Sequence, residues 1–142
     1  MRVLLGCLML HALCAAVAPS PWWVPNLTLV GLVMAIQRAP HRWPTASVIA
    51  GLFTVLWAVR FPVPLLAGSL GLGALVRWLN TQWDLDDPRV QDVVMTCGSG
   101  IISAGLLWLD GLWSPTIAGW VVVHVAVTVL LARFVRRLRM FV

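Results

Sequence analysis

Cys7, His11 and Cys14 are spaced at i, i+4 and i+7, so a helix would carry them on one stripe. With His124 they offer thiolate and imidazole ligands for a metal, or two imidazoles for a haem. No carboxylate accompanies them to orient the rings, so the expectation is buried structural residues and no metal, haem or other cofactor. A second group is Asp84, Asp86, Asp87 and Asp92. Such carboxylates hold Mg²⁺ in enzymes that act on lipid-linked phosphates. Here no neighbouring His, no Lys and no Gly-rich phosphate loop joins them, so they read as caps for the positive end of a helix dipole. No acid lies within an apolar run to relay protons or ions. The chain therefore reads as neither an enzyme nor a pump.

The third pattern is one of small residues. Ala67, Gly68, Ser69, Gly71, Gly73 and Ala74 crowd one apolar run, and Cys97, Gly98, Ser99, Gly100, Ser103, Ala104 and Gly105 crowd another. Ala67 with Gly71, and Gly100 with Ala104, have the small-xxx-small spacing that lets membrane helices approach closely. The first expectation is that these two helices pack on each other. The second is that a face containing Gly68, Gly71, Gly100 and Ala104 docks a partner's helix.

These residues must be positioned by membrane helices. The chain is 61 % hydrophobic and only 11 % charged over 142 residues, with a mean hydropathy of +0.92. Soluble domains carry roughly 25 % charge. From Ala46 to Leu79 the sequence is almost wholly apolar, and it breaks once, at Arg60-Phe61-Pro62-Val63-Pro64. One helix that long would reach about 51 Å, well beyond a hydrocarbon core of about 30 Å, and the two prolines interrupt it. The stretch is therefore a hairpin of two spans.

The same reasoning gives six spans: 3–18, 22–37, 45–59, 62–79, 88–109 and 115–134, with a basic tail over 135–142. Span one resembles a signal peptide, with Ala16-Val17-Ala18 before a cleavage point, but Pro19 directly after it disfavours cleavage. Ser20-Pro21, Asp87-Pro88 and Ser114-Pro115 read as cap-then-proline helix starts, and Thr45 as the cap of span three. Spans one and three are short for a perpendicular crossing. They would thin the bilayer, lie against neighbours, or continue as non-helical backbone shielded by protein. The three cysteines read as small buried hydrophobes.

All ten basic residues are Arg. With both termini in the cytoplasm, nine lie inside and only Arg60 lies outside. Trp22, Trp23, Trp57, Trp108 and Trp113 fall at the outer boundary, and Trp43, Trp78 and Trp83 at the inner one. This arrangement explains the net charge of +5 without nucleic acid. Arg133, Arg136, Arg137 and Arg139 would rest on anionic lipid headgroups. Arg60 breaks the charge bias, and Pro62 and Pro64 stiffen its turn, so that outer end is a candidate contact for a partner.

Val24-Pro25-Asn26-Leu27 opening a helix, Arg38-Ala39-Pro40 closing it, Ala50-Gly51-Leu52 in span three, and Pro62-Val63 before a Gly- and Leu-rich span resemble the rod-shape-determining protein MreD family. The likeness runs from Trp23 to Leu79, and Pro25, Asn26, Gly51 and Leu52 carry its motifs. The family usually has Asp beside the proline where this chain has Asn26, an acid where it has Thr54, and a Gly near Pro64. The resemblance implies an all-α membrane protein, a compact bundle of about six transmembrane helices similar to the substrate-binding (S) subunits of vitamin transporters. It implies a non-enzymatic scaffold in the bacterial cytoplasmic membrane. Its partner would be an MreC-like membrane-anchored periplasmic protein of the machinery that directs peptidoglycan synthesis. Alternatives are a solute-binding subunit of an energy-coupling transporter, or an accessory among the subunits of another large membrane complex. A polar cavity open to the outside would favour the transporter subunit, and a groove lined by small residues would favour a scaffold.

Overall fold

The computed structural model describes residues 1–18, 24–58, 62–109, 111 and 114–139. These residues form six α-helices: α1 Arg2–Val17, α2 Leu27–Arg38, α3 Trp43–Ala58, α4 Pro62–Gln82, α5 Pro88–Leu109 and α6 Pro115–Arg139. No strand occurs among the described residues. α4, α5 and α6 are long and apolar enough to cross a membrane, and α1 and α2 are shorter apolar helices.

Proline marks three helix starts, because its fixed φ suits the first turn and its missing N–H costs nothing there. Pro62, Pro88 and Pro115 each occupy the first position of a helix. Asp87 caps α5 by accepting the Arg89 N–H at 2.8 Å, and Asp84 accepts the Asp86 N–H at 2.9 Å in the preceding turn. The Ser114 hydroxyl accepts the Ile117 N–H at 3.3 Å at the start of α6. Between α5 and α6, Gly111 has φ 66°, a left-handed conformation open to glycine.

Other boundaries differ from the sequence expectation. α3 starts at Trp43, two residues before Thr45, because a 3-10 turn over Pro40–Arg42 feeds straight into it. α6 runs to Arg139, so Arg136 and Arg137 extend the helix. α2 starts only at Leu27. Pro25 disfavours helical backbone at Val24 before it, and Asn26 takes the cap, its side-chain oxygen accepting the Leu29 N–H at 3.1 Å. Ser20-Pro21, Trp22, Trp23, Arg60, Asp110, Trp113 and the end of the basic tail lie outside the described residues.

α2 is the axis of the bundle. Nine residues of this helix, among them Leu29, Leu32, Val33 and Ile36, are buried. α1, α3, α4, α5 and α6 all contact it. It is about 18 Å long at 1.5 Å per residue, too short to cross a membrane alone. Beyond it the backbone of Val24–Asn26 is not helical, and its polar groups find partners inside the bundle. His11 Nδ1 lies 3.2 Å from the Pro25 carbonyl, which fixes that nitrogen as the donor. The Asn26 N–H donates to Thr128 Oγ1 at 2.9 Å, and Thr128 Oγ1 donates to the His124 carbonyl at 2.9 Å. Non-helical backbone inside a helical bundle is stable only with such partners.

Glycines set the closest approaches. A Cβ on Gly51 would lie 2.2 Å from Ser69 Oγ, and one on Gly73 would lie 1.8 Å from Ser47 Oγ, so α3 and α4 meet almost backbone to backbone. A Cβ on Gly31 would lie 2.8 Å from the Cys7 Cβ, which locks α1 against α2.

At the end of the bundle where α2 stops, a polar chain ties three helices together. Arg136 donates to Gln91 Oε1 at 2.9 Å, Gln91 Nε2 to Gln37 Oε1 at 3.3 Å, and Gln37 Nε2 to the Leu85 carbonyl. Arg136 also donates to the Pro88 carbonyl at 3.2 Å, and Arg133 pairs with Asp92 at 2.8 Å.

Candidate functional site

α3 packs chiefly on α4, α1 on α2 and α5 on α6. α4 and α5 have hardly any contact with each other. The expectation that their small residues pack together is thus corrected: the two helices face each other across a cleft. Its volume is about 740 Å³. α4 and α5 are its walls, α2 and α3 its floor.

The α4 wall is a helical stripe of Leu65, Gly68, Leu72, Leu75 and Leu79, continued by Trp83. Gly68 and Gly71 both line the cleft, and a Cβ on either would meet nothing within 4 Å. Pro64 lines it at one end. On α5 the wall is Val93, Val94, Cys97, Ile101 and Gly105. Gly100 and Ala104 lie off that stripe, one step around the helix. The nearest neighbour of a Cβ on Gly100 would be Val125 of α6, at 4.0 Å. The structure therefore brings Pro64, Gly68 and Gly71 to one cleft and leaves Gly100 and Ala104 outside it. Pro62 starts α4 and is exposed, and Arg60 beside it lies outside the described residues.

The motif residues have structural work. Pro25 and Asn26 form the hydrogen-bonded entry to α2, and Gly51 is a contact point of α3 with α4. Leu52 is exposed on the outer face of α3.

The Cys–His stripe does not converge on a ligand set. Cys7 is buried against Gly31, while His11 stacks edge-on to Phe53 with ring centroids 5.8 Å apart. No three His, Cys, Asp or Glu among the described residues come close enough to hold a metal ion. His11 and His124 both line the cleft.

Sequence reasoning missed the polar layer of this cleft. Every helix contributes: His11 from α1, Asn26 from the α2 cap and Thr28 from α2, Thr54 from α3, Ser69 from α4, Ser103 from α5 and His124 from α6. The signal was present only as Ser, Thr and His residues scattered through the apolar spans, which hydropathy averaging hides. Thr54 donates to the Ala50 carbonyl at 2.9 Å and Ser69 to the Leu66 carbonyl at 2.8 Å, so each turns lone pairs outward from its helix. Set beside protein-family models, curated proteins and solved structures, the chain matches none of them.

Proposed function

We propose that this protein is a non-enzymatic, multi-pass scaffold of the bacterial cytoplasmic membrane, with both termini cytoplasmic. On this reading it belongs to the cell-shape machinery and holds the membrane helix of an MreC-like, membrane-anchored periplasmic protein. The observation that supports it is the lateral cleft between α4 and α5, with Gly68 and Gly71 open at its wall. From Pro64 to Trp83 that wall is about 29 Å tall, matching the hydrocarbon core a partner helix must cross. With no hydrophobic force between helices in lipid, affinity comes from close contact, which bare glycines permit. The lining is mostly apolar, which favours a helix over the water-soluble solute of a transporter subunit.

The test is co-purification from the native membrane in mild detergent. Gly68→Leu and Gly71→Leu place side chains in open space, so both variants are expected to fold and to lose the partner. Arg60→Glu is expected to weaken the complex and spare the fold. If all three variants retain the same co-purifying proteins as the wild type, the scaffold reading is wrong.

A further inference from the structure

The floor of the cleft has a chemistry that a purely apolar helix groove does not need. Counted at 1.5 Å per residue from the end marked by the Gln37–Arg136 network, the seven polar residues lie about 14–23 Å along their helices. They therefore form a band about 9 Å deep, and hydrogen bonds at His11, Asn26 and Thr128 hold part of it in place. From Ser69 to Trp83, about 21 Å along α4, the cleft is walled by apolar residues such as Leu72, Leu75, Val76 and Leu79. It has a polar band in its floor and a long apolar channel leading away from it.

No Arg, Lys, Asp or Glu lines the cleft among the described residues. A charged headgroup buried here would lose hydration at a large cost, and the imidazoles of His11 and His124 are the one source of counter-charge among the described lining residues, which is why the test is run at pH 8, above the ordinary imidazole range. The donors of Thr54 and Ser69 are committed to their own helices, which leaves lone pairs that accept. The Asn26 side-chain oxygen is taken by Leu29, which leaves its amide N–H₂ to donate. A complementary head both donates and accepts, and is neutral. The volume of about 740 Å³ lies in the range of about 300–1,000 Å³ usual for small-molecule sites.

We propose that the α4–α5 cleft binds a neutral long-chain amphiphile, a fatty or isoprenoid alcohol or amide. Its head sits at the layer of Asn26, Thr54 and Ser69, and its chain runs along α4 toward Trp83. This goes beyond the scaffold reading: a partner helix along the Pro64–Trp83 wall would compete with the chain, and the experiment uses the full chain without a partner so that the two readings fail separately.

The experiment is native mass spectrometry of the full chain released from detergent micelles at pH 8. The probes are 1-hexadecanol, hexadecanamide and sodium palmitate, each at the same concentration. The alcohol and the amide are expected as one-to-one adducts, with palmitate weaker by about tenfold or more, because its charge goes uncompensated. Thr54→Val combined with Ser69→Ala removes both acceptors and is expected to weaken the alcohol about tenfold. If that double variant fails to fold, Ser69→Ala alone is expected to weaken it about threefold. Three results would overturn the proposal: no adduct with alcohol or amide, palmitate bound as well as the alcohol, or a folded double variant that binds the alcohol like the wild type. Equal retention of all three probes would mark the cleft as an adventitious site for any alkyl chain, and that too refutes it.

Discussion

Two glycines two residues apart show how much a position matters. A Cβ on Gly73 would lie 1.8 Å from Ser47 Oγ and 3.0 Å from Ser47 Cβ, while a Cβ on Gly71 would meet nothing. Ser47 has little freedom to yield, because its hydroxyl is bonded to the Trp43 carbonyl at 2.8 Å. Gly73→Ala is therefore expected to destabilise by about 1–3 kcal/mol through overpacking. Gly71→Ala is expected to be neutral or to stabilise by up to about 1 kcal/mol, through helix propensity. Unfolding titrations in mixed micelles measure both, and equal effects would refute the close α3–α4 contact. Thr128 gives a second case. Replacing it by Val keeps its shape but strands the Asn26 N–H inside the bundle, an expected loss of about 1–3 kcal/mol on the same titration. Both sites explain what could be read from sequence. Small-xxx-small spacing announces that backbone can be approached. It does not say whether a neighbour fills the space, as at Gly73, or leaves it empty, as at Gly71.

Among the elements, the hairpin of α3 and α4 was the most legible, because prolines at 62 and 64 leave a chain of that length no other way to fold. α2 was the least legible. Its sequence looks like any other apolar span, and nothing in its hydropathy says that it is wrapped on all sides. Its late start at Leu27 follows from Pro25 and Asn26, two polar-chemistry signals inside an apolar run. The network joining α2, α5 and α6 was also hidden, since Gln37 and Gln91 are 54 residues apart. Its members differ in weight. Gln91 is buried and holds both Gln37 and Arg136. Gln91→Leu is expected to cost about 1–3 kcal/mol by orphaning those partners. Asp92 pairs with Arg133, whose side chain is 53 % exposed, and at a longer 3.6 Å with Arg136, which Gln91 and the Pro88 carbonyl also hold, so Asp92→Asn is expected to cost about 1 kcal/mol, less than Gln91→Leu. Comparing the two variants in one micelle titration checks the order, and a larger loss at Asp92 would contradict it.

On the scale of the whole molecule, antiparallel pairing is fixed by contacts along each helix pair. Gly31 lies against Cys7 while Pro25 meets His11, and Asp92 meets Arg133. The Gln37–Arg136 network thus stands at the same end of the bundle as Arg38, Arg89 and Arg133. If the Arg bias orients the protein as proposed, this end faces the cytoplasm. With the native cysteines replaced by Ser, a cysteine at Asp86 is expected to resist an impermeant thiol reagent in intact cells. A cysteine at Pro62 is expected to react. Labelling at Asp86 from outside would invert the topology. The orientation rests on the arginines alone. The sequence carried no sign of the cleft, because a void between two helices is a property of how pairs are hung on α2 and has no residue of its own.

That hanging has a mechanical consequence. The α3–α4 pair and the α5–α6 pair are each braced internally, and both lean on α2, but across the cleft almost nothing joins them. The protein itself supplies little force to set the gap between its two jaws. On the membrane reading proposed above, that force comes from outside, from the lateral pressure of the surrounding acyl chains, which is highest where the chains are most crowded. The pincer would close in a tightly packed membrane and open in a loose one, with α2 as its pivot.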